Sequence, residues 1–169
     1  LDLRKELIVT IDGEDARDLD DAVSIQKVKD GYILGVHIAD VSHYVRENTA
    51  LDKEAVNRGT SIYVTDRVVP MLPFSLSNGI CSLNPNVDRL TISCIMNVND
   101  KGEVVSSQIQ PSIIRSKHRL TYTYVNEVIE KNHPENELEE TLLLMHELSK
   151  LVRARRNERG ALDLSVPEI

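Results

Sequence analysis

The sequence predicts a mixed α/β (α+β) fold, a twisted, mostly antiparallel sheet or partial barrel with helices packed on one side. Three observations carry that expectation. Alternating and continuous apolar runs dominate the chain from Leu7 to Ile114. Hairpin signals stand between them at Lys29-Asp-Gly31 and Asn99-Asp-Lys-Gly102. Long helical periodicity is concentrated after Thr121. The chain has 169 residues, 41% hydrophobic and 28% charged, enough for one domain with a real core and too apolar for a disordered polymer.

Leu7-Ile-Val-Thr-Ile11 reads as a first strand with Asp12 at its end, and Asp20-Asp21 open a second that continues through Ala22-Val-Ser-Ile25. Gly31-Tyr-Ile-Leu-Gly-Val-His-Ile-Ala39 is almost continuously apolar, the pattern of a central, buried strand. His37 within it reads as a satisfied core histidine rather than a ligand. Asp40, at its end, reads as a loop cap in preference to a residue behind a metal. Residues 51–58 predict a short helix with Leu51, Ala55 and Val56 inward, stopped by Gly59. Residues 61–65 predict a strand, and the prolines hold residues 67–73 extended. Residues 75–80 predict one helical turn closed by Gly79. Arg67, Asp88 and Arg89 read as salt-bridging residues, with a phosphate contact the remoter reading of Arg89.

Residues 90–98 and 104–114 form the clearest hairpin. Thr121 is the expected N-cap of a helix to about residue 131, with Tyr122, Val125, Val128 and Ile129 on its inner face. His133-Pro134 breaks it. Asn136 with Glu139 resembles a capping box, and opens a helix to about residue 159 that Gly160 ends.

Function is concentrated in Thr10-Ile-Asp-Gly-Glu-Asp-Ala-Arg-Asp-Leu-Asp-Asp-Ala-Val-Ser24, which sets Asp12, Asp18, Asp20 and Asp21 in one loop. Carboxylates held that closely raise one another's pKa unless a cation sits among them. Mg2+ suits such a set, because it takes few protein oxygens and leaves the rest to water and phosphate. On composition alone a solvated turn outweighs a metal site. A calcium loop of the EF-hand type is a poor match, since counting from Asp12 its glycine and glutamate positions hold Arg17 and Val23. The tandem Asp20-Asp21 beside Asp12 and Asp18 favours catalysis over a structural site.

The net charge of −7 argues against a surface that grips nucleic acid by bulk electrostatics, though not against phosphate held through a metal. Lys150, Arg153, Arg155, Arg156 and Arg159 read as a solvated helix end, with an RNA-contacting patch as the sharper alternative. Tyr63, taken alone, is a cross-strand aromatic. Cys81 and Cys94 follow no metal spacing and fit a reduced, cytoplasmic setting, and neither a signal peptide nor a membrane-spanning run is visible. The start without Met and the end at Pro167-Glu-Ile169 suggest a piece of a larger protein.

The acidic stretch is similar to the active-site signature of the RNase II/RNase R (RNB-domain) family of exoribonucleases, in particular its bacterial RNase R branch. Val36-His-Ile-Ala-Asp-Val-Ser-His-Tyr-Val45, Asn57-Arg-Gly-Thr-Ser-Ile-Tyr63, Pro70-Met-Leu-Pro73, Leu76-Ser-Asn-Gly-Ile-Cys-Ser-Leu-Asn-Pro85, Asp88-Arg-Leu90 and Arg119-Leu-Thr-Tyr122 follow in the family's order, and more loosely Glu158-Arg-Gly160. The resemblance covers nearly the whole chain. It implies Mg2+-dependent, processive 3′-to-5′ hydrolysis of single-stranded RNA to 5′-mononucleotides, with Mn2+ as a substitute. It implies that Asp12, Asp18, Asp20 and Asp21 bind metal, that Asp20 is also catalytic, and that Tyr63 packs on the nucleotide at the RNA 3′ end. The family's downstream arginine motif, a further glutamate and a base-clamping aromatic are missing, as are the flanking oligonucleotide-binding domains. Residues 1–169 are therefore expected to be the metal-binding half of the catalytic domain, inactive by itself if the missing half is required. The alternatives are a non-catalytic RNA- or protein-binding fragment, and a metal-dependent phosphodiesterase or phosphatase with a non-RNA substrate.

Overall fold

The computed structural model describes residues 1–161. The terminal Pro167-Glu-Ile169 lies outside them. Among the described residues there are eight strands: β1 (Val9–Asp12), β2 (Asp21–Val28), β3 (Gly31–Ala39), β4 (Ile62–Val64), β5 (Arg67–Val69), β6 (Arg89–Asn99), β7 (Val104–Ile114) and β8 (His118–Thr121). The helices are α1 (Val41–Tyr44), α2 (Ala50–Arg58), α3 (Tyr122–Lys131) and α4 (Glu137–Glu158), with a π-helical turn at Ser75–Ile80. Six strands form one sheet in the order β7-β6-β3-β2-β1-β8, and β4 pairs with β5 in a separate hairpin. All neighbours in the large sheet are antiparallel except β1 and β8, which run parallel. The sheet is thus mixed and open rather than a closed barrel, and its apolar strand β3 lies between β2 and β6 as expected.

The two long helices cover one face. Val9 and Leu120 pack there with Val128 and Leu142, and beside them Ile25, Tyr32 and Val98 pack with Leu148. Loops cover the other face, where Ile8, Leu19, Ala22, Ala39, Cys81, Leu83 and Ile114 form a third cluster. This second layer positions the acidic stretch, because Leu19 is one of its members.

Several local readings change. Val56 is 72% exposed and Tyr122 59% exposed, so neither is on an inner face. Both lie at the edge of an apolar stripe whose width periodicity does not define. Residues 67–69 are a strand as well as extended. The turn at Ser75–Ile80 passes through Gly79 and closes with the Cys81 N–H on Leu76 O at 2.9 Å. Among the described residues Arg89 makes no ion pair; its Nε donates to Ser82 O at 2.7 Å and its Nη2 to Gly79 O at 3.1 Å. Arg67 and Asp88 do pair, with Asp66 and with Arg4 and Arg115 respectively. The Asn136 side chain caps the N–H of Glu139 as expected, but Glu139 reaches the N–H of Glu135 instead of completing the box.

His37 is fully buried, with Nε2 3.1 Å from Ser24 Oγ and Nδ1 2.6 Å from Ser93 Oγ. The hydroxyls continue through Ser112 to Thr91. Gly35 leaves the room, since a Cβ there would collide with the Ser24 hydroxyl and the His37 ring. Burial pushes the His37 pKa down from 6.5 to about 4. The unfolded chain therefore takes up this proton first, so stability is full above pH 6.5 and is lost as pH falls towards 4. The loss attributable to His37 amounts to about 3 kcal/mol below both values. Urea titrations at pH 7 and pH 4.5 should show it, and His37→Gln should flatten that difference.

Candidate active site

The acidic loop leaves β1 at Asp12 and enters β2 at Asp21. Leu19, only 1% exposed, anchors its middle in the core, and the alternation of the chain turns Asp18 and Asp20 away from that core. The backbone around Leu19 is held from residues 82–83. Ser82 Oγ accepts from Leu19 N–H at 3.1 Å and donates to Arg17 O at 2.8 Å. Leu83 N–H donates to Leu19 O at 2.9 Å, and Ala39 N–H to Asp20 O at 2.9 Å. Arg119 on β8 holds the other half of the loop, through the carbonyls of Gly13, Glu14 and Ala16.

The four aspartates act on one another electrostatically. The Asp12 carboxyl is pushed up by burial first and then by the charges of Asp21 and Asp18, with Arg119 opposing. Asp20 is also pushed up, by partial desolvation and then by Asp18, Asp21 and Asp12. Tyr63, on β4, is 69% exposed and donates from Oη to Asp18 Oδ2 at 3.4 Å. That carboxylate's charge is the largest influence raising the Tyr63 pKa. Asp18, Asp20 and Tyr63 line a cleft of about 620 Å3 whose walls include Ala39, Met71 and Cys81. Asp12 and Asp21 are not in its lining.

This donor set suits a hard cation. Two of the four carboxyls hold their protons more tightly, through burial first and then through their neighbours' charges, and a divalent ion would offset that penalty. Among the described residues no three His, Cys, Asp or Glu side chains are grouped closely enough to hold a metal ion together. Mg2+ matches an open arrangement, because it keeps several waters and leans on one or two carboxylates plus substrate phosphate.

Asp40 caps α1, its Oδ1 accepting from His43 N–H at 3.1 Å and Ser42 Oγ at 2.7 Å. On the basic helix end, Arg155 pairs with Glu103 at 2.6 Å, while Arg153 and Arg156 line a separate groove with Ile11, Val23 and Leu34. Sequence reasoning assigned no role to Ser82 or Arg119. Their signal is a hydrogen bond to distant backbone, which no local spacing reveals.

The RNB domain model matches residues 1–169. The chain belongs to the RNB domain family. Ribonuclease R 1 of Lactococcus lactis is 53% identical to this RNB chain over 99% of its length, and Ribonuclease R of Thermotoga maritima is also 53% identical over 99%. The chain spans 21% and 24% of those relatives' lengths. Mycoplasma genitalium RNase R, solved with ribose-methylated single-stranded RNA, superposes with a TM-score of 0.92 at 37% identity, over 99% of this chain and 27% of that one. The yeast pseudonuclease Ssd1 shares the fold alone, with a TM-score of 0.81 at 22% identity over 98% of this chain and 20% of that one.

Proposed function

We propose that this RNB chain carries the metal-binding part of an exoribonuclease active site, which removes 5′-mononucleotides processively from the 3′ end of single-stranded RNA. The observation that carries the reading is a cleft lined by Asp18, Asp20 and the exposed Tyr63, with Asp12 and Asp21 near enough to act on Asp20 through their charge. Asp12, Asp18, Asp20 and Asp21 are assigned to hold Mg2+, or Mn2+ in its place. Such an ion, when bound, neutralises the scissile phosphate and lowers the pKa of a bound water. Asp20 is assigned to orient the attacking water and accept its proton. The exposed Tyr63 ring offers a stacking platform for the terminal base, and its bond to Asp18 ties that platform to the acidic loop.

Fold alone does not carry the activity, because a protein named a pseudonuclease has the same fold. A phosphatase or other phosphodiesterase reading leaves the exposed Tyr63 without a purpose. The full-length protein is expected to contain flanking RNA-binding domains and the second half of the catalytic domain, and to work in the cytoplasm. The test is a 5′-labelled single-stranded RNA incubated with that protein in Mg2+, with an EDTA lane. A ladder shortening from the 3′ end, absent in EDTA, is the expected result. Intact RNA, or cleavage that ignores EDTA, would overturn the reading.

A further inference from the structure

We propose that Arg119 is a positioning residue for the acidic site, acting through the backbone of the loop between Asp12 and Asp18. The inference rests on reading that loop as the catalytic site. Arg119 stands on β8 opposite Thr10, in the parallel pair that also sets Thr121 opposite Asp12. Strand alternation gives Arg119 the same sheet face as Thr10 and Asp12. Its Nη2 lies 2.6 Å from Glu14 O, 3.0 Å from Ala16 O and 3.3 Å from Gly13 O, so its two N–H groups serve three carbonyls, one hydrogen being shared.

Three carbonyls drawn onto one cation bend the chain around it. That bend governs where Asp18 stands relative to Asp12. The arc's own backbone tie is Ala16 N–H to Gly13 O at 3.2 Å, so the guanidinium supplies more fastening than the arc itself. Thr123 Oγ1 adds a bond to Glu14 Oε1 at 2.6 Å from the first turn of α3. Ser82 fixes the loop from the opposite side, at Arg17 and Leu19. The acidic loop is therefore clamped at two points, one from β8 and one from the turn before β6. Bonds from an ionised donor are roughly twice as strong as neutral ones, and the preorganised guanidinium loses little entropy per bond formed. Its charge also opposes that of Asp18 and Asp21 at Asp12.

The experiment compares full-length wild type with Arg119→Met and Arg119→Lys in two measurements. The first is amide hydrogen exchange of residues 14–18 in divalent-free buffer. The second is kcat and KM on single-stranded RNA. Arg119→Met should speed exchange of those amides by ~10-fold or more while the β3–β6 amides keep their protection. Its kcat should fall by roughly 10–100-fold, because small displacements of reacting groups are costly, while KM stays within about 3-fold. Arg119→Lys should recover part of both losses. Loop exchange and kcat at wild-type values in Arg119→Met would overturn the proposal. Should Arg119→Met fail to fold, Arg119→Gln, shorter and uncharged, carries the same two measurements, and wild-type values in both overturn it. A wild type that leaves RNA intact defeats the exoribonuclease reading instead, and the exchange comparison then decides the clamp alone.

Discussion

Protein carrying Asp20→Asn should degrade single-stranded RNA at least ~100-fold more slowly than wild type, and should melt at a higher temperature in metal-free buffer. Both effects come from one change of charge. Partial burial, and then the field of Asp18, Asp21 and Asp12, pushes the Asp20 carboxyl above the usual range. Asparagine keeps the shape, removes that repulsion, and cannot accept the proton of an attacking water. The sign with pH follows from the raised folded-state value. The native protein holds the Asp20 proton more tightly than the unfolded chain does, so this site favours folding less as pH rises through its titration. Added Mg2+ should raise the wild-type melting temperature and raise that of Asp20→Asn less. Calorimetry with and without Mg2+, alongside kcat on RNA, measures all three. Unchanged turnover, or a variant less stable than wild type without metal, would defeat the assignment.

Leu19→Ala should cost about 2–5 kcal/mol, a large share of the ~5–15 kcal/mol that holds a typical domain together. Leu19 is 1% exposed and packs in the cluster with Ile8, Leu83 and Ile114. Truncation leaves a cavity among strands that cannot close on it. Unlike other members of the cluster, Leu19 stands between two of the assigned metal-binding residues, so its loss should also lower kcat in the molecules that stay folded. Ile114→Ala is the control, a comparable cavity at the far end of β7. Urea midpoints should fall in both variants, with the loss of turnover much larger in Leu19→Ala. Equal turnover in the two would mean that the loop holds its shape without its anchor.

The acidic site was legible in the sequence because its chemistry is contiguous: one loop carries all four carboxylates, bounded by two recognisable strands. The β2–β3 and β6–β7 hairpins were legible because adjacent strands share a turn with its own residue preferences. The α1 turn, the β5 strand and β8 were not. Each spans only three or four residues, too few for a period to register. The pairing of β8 with β1 joins Val9 to His118, and no local pattern encodes a partner so remote. The same distance hides Arg119 and Ser82, whose bonds go to main-chain atoms that every residue type offers. Tyr63 shows the reverse: an isolated tyrosine reads as packing, the family resemblance points it to the RNA end instead, and its bond to Asp18 sets it beside the acidic loop.

That remote pairing also orders events as the chain folds. The β2–β3 and β6–β7 hairpins can close as soon as their own residues are available, whereas β1 has only β2 beside it until residues 118–121 arrive. Residues 1–2 wait about as long, since Leu1 N donates to Pro111 O at 3.0 Å and Asp2 bridges to Ile113. Contacts of such sequence separation carry a large loop-closure cost and form late. On a growing polypeptide, the strand that ends in Asp12 is an open edge until more than a hundred further residues have been added, so Asp12 is fixed against its β8 neighbour well after the β2–β3 hairpin has set Asp21.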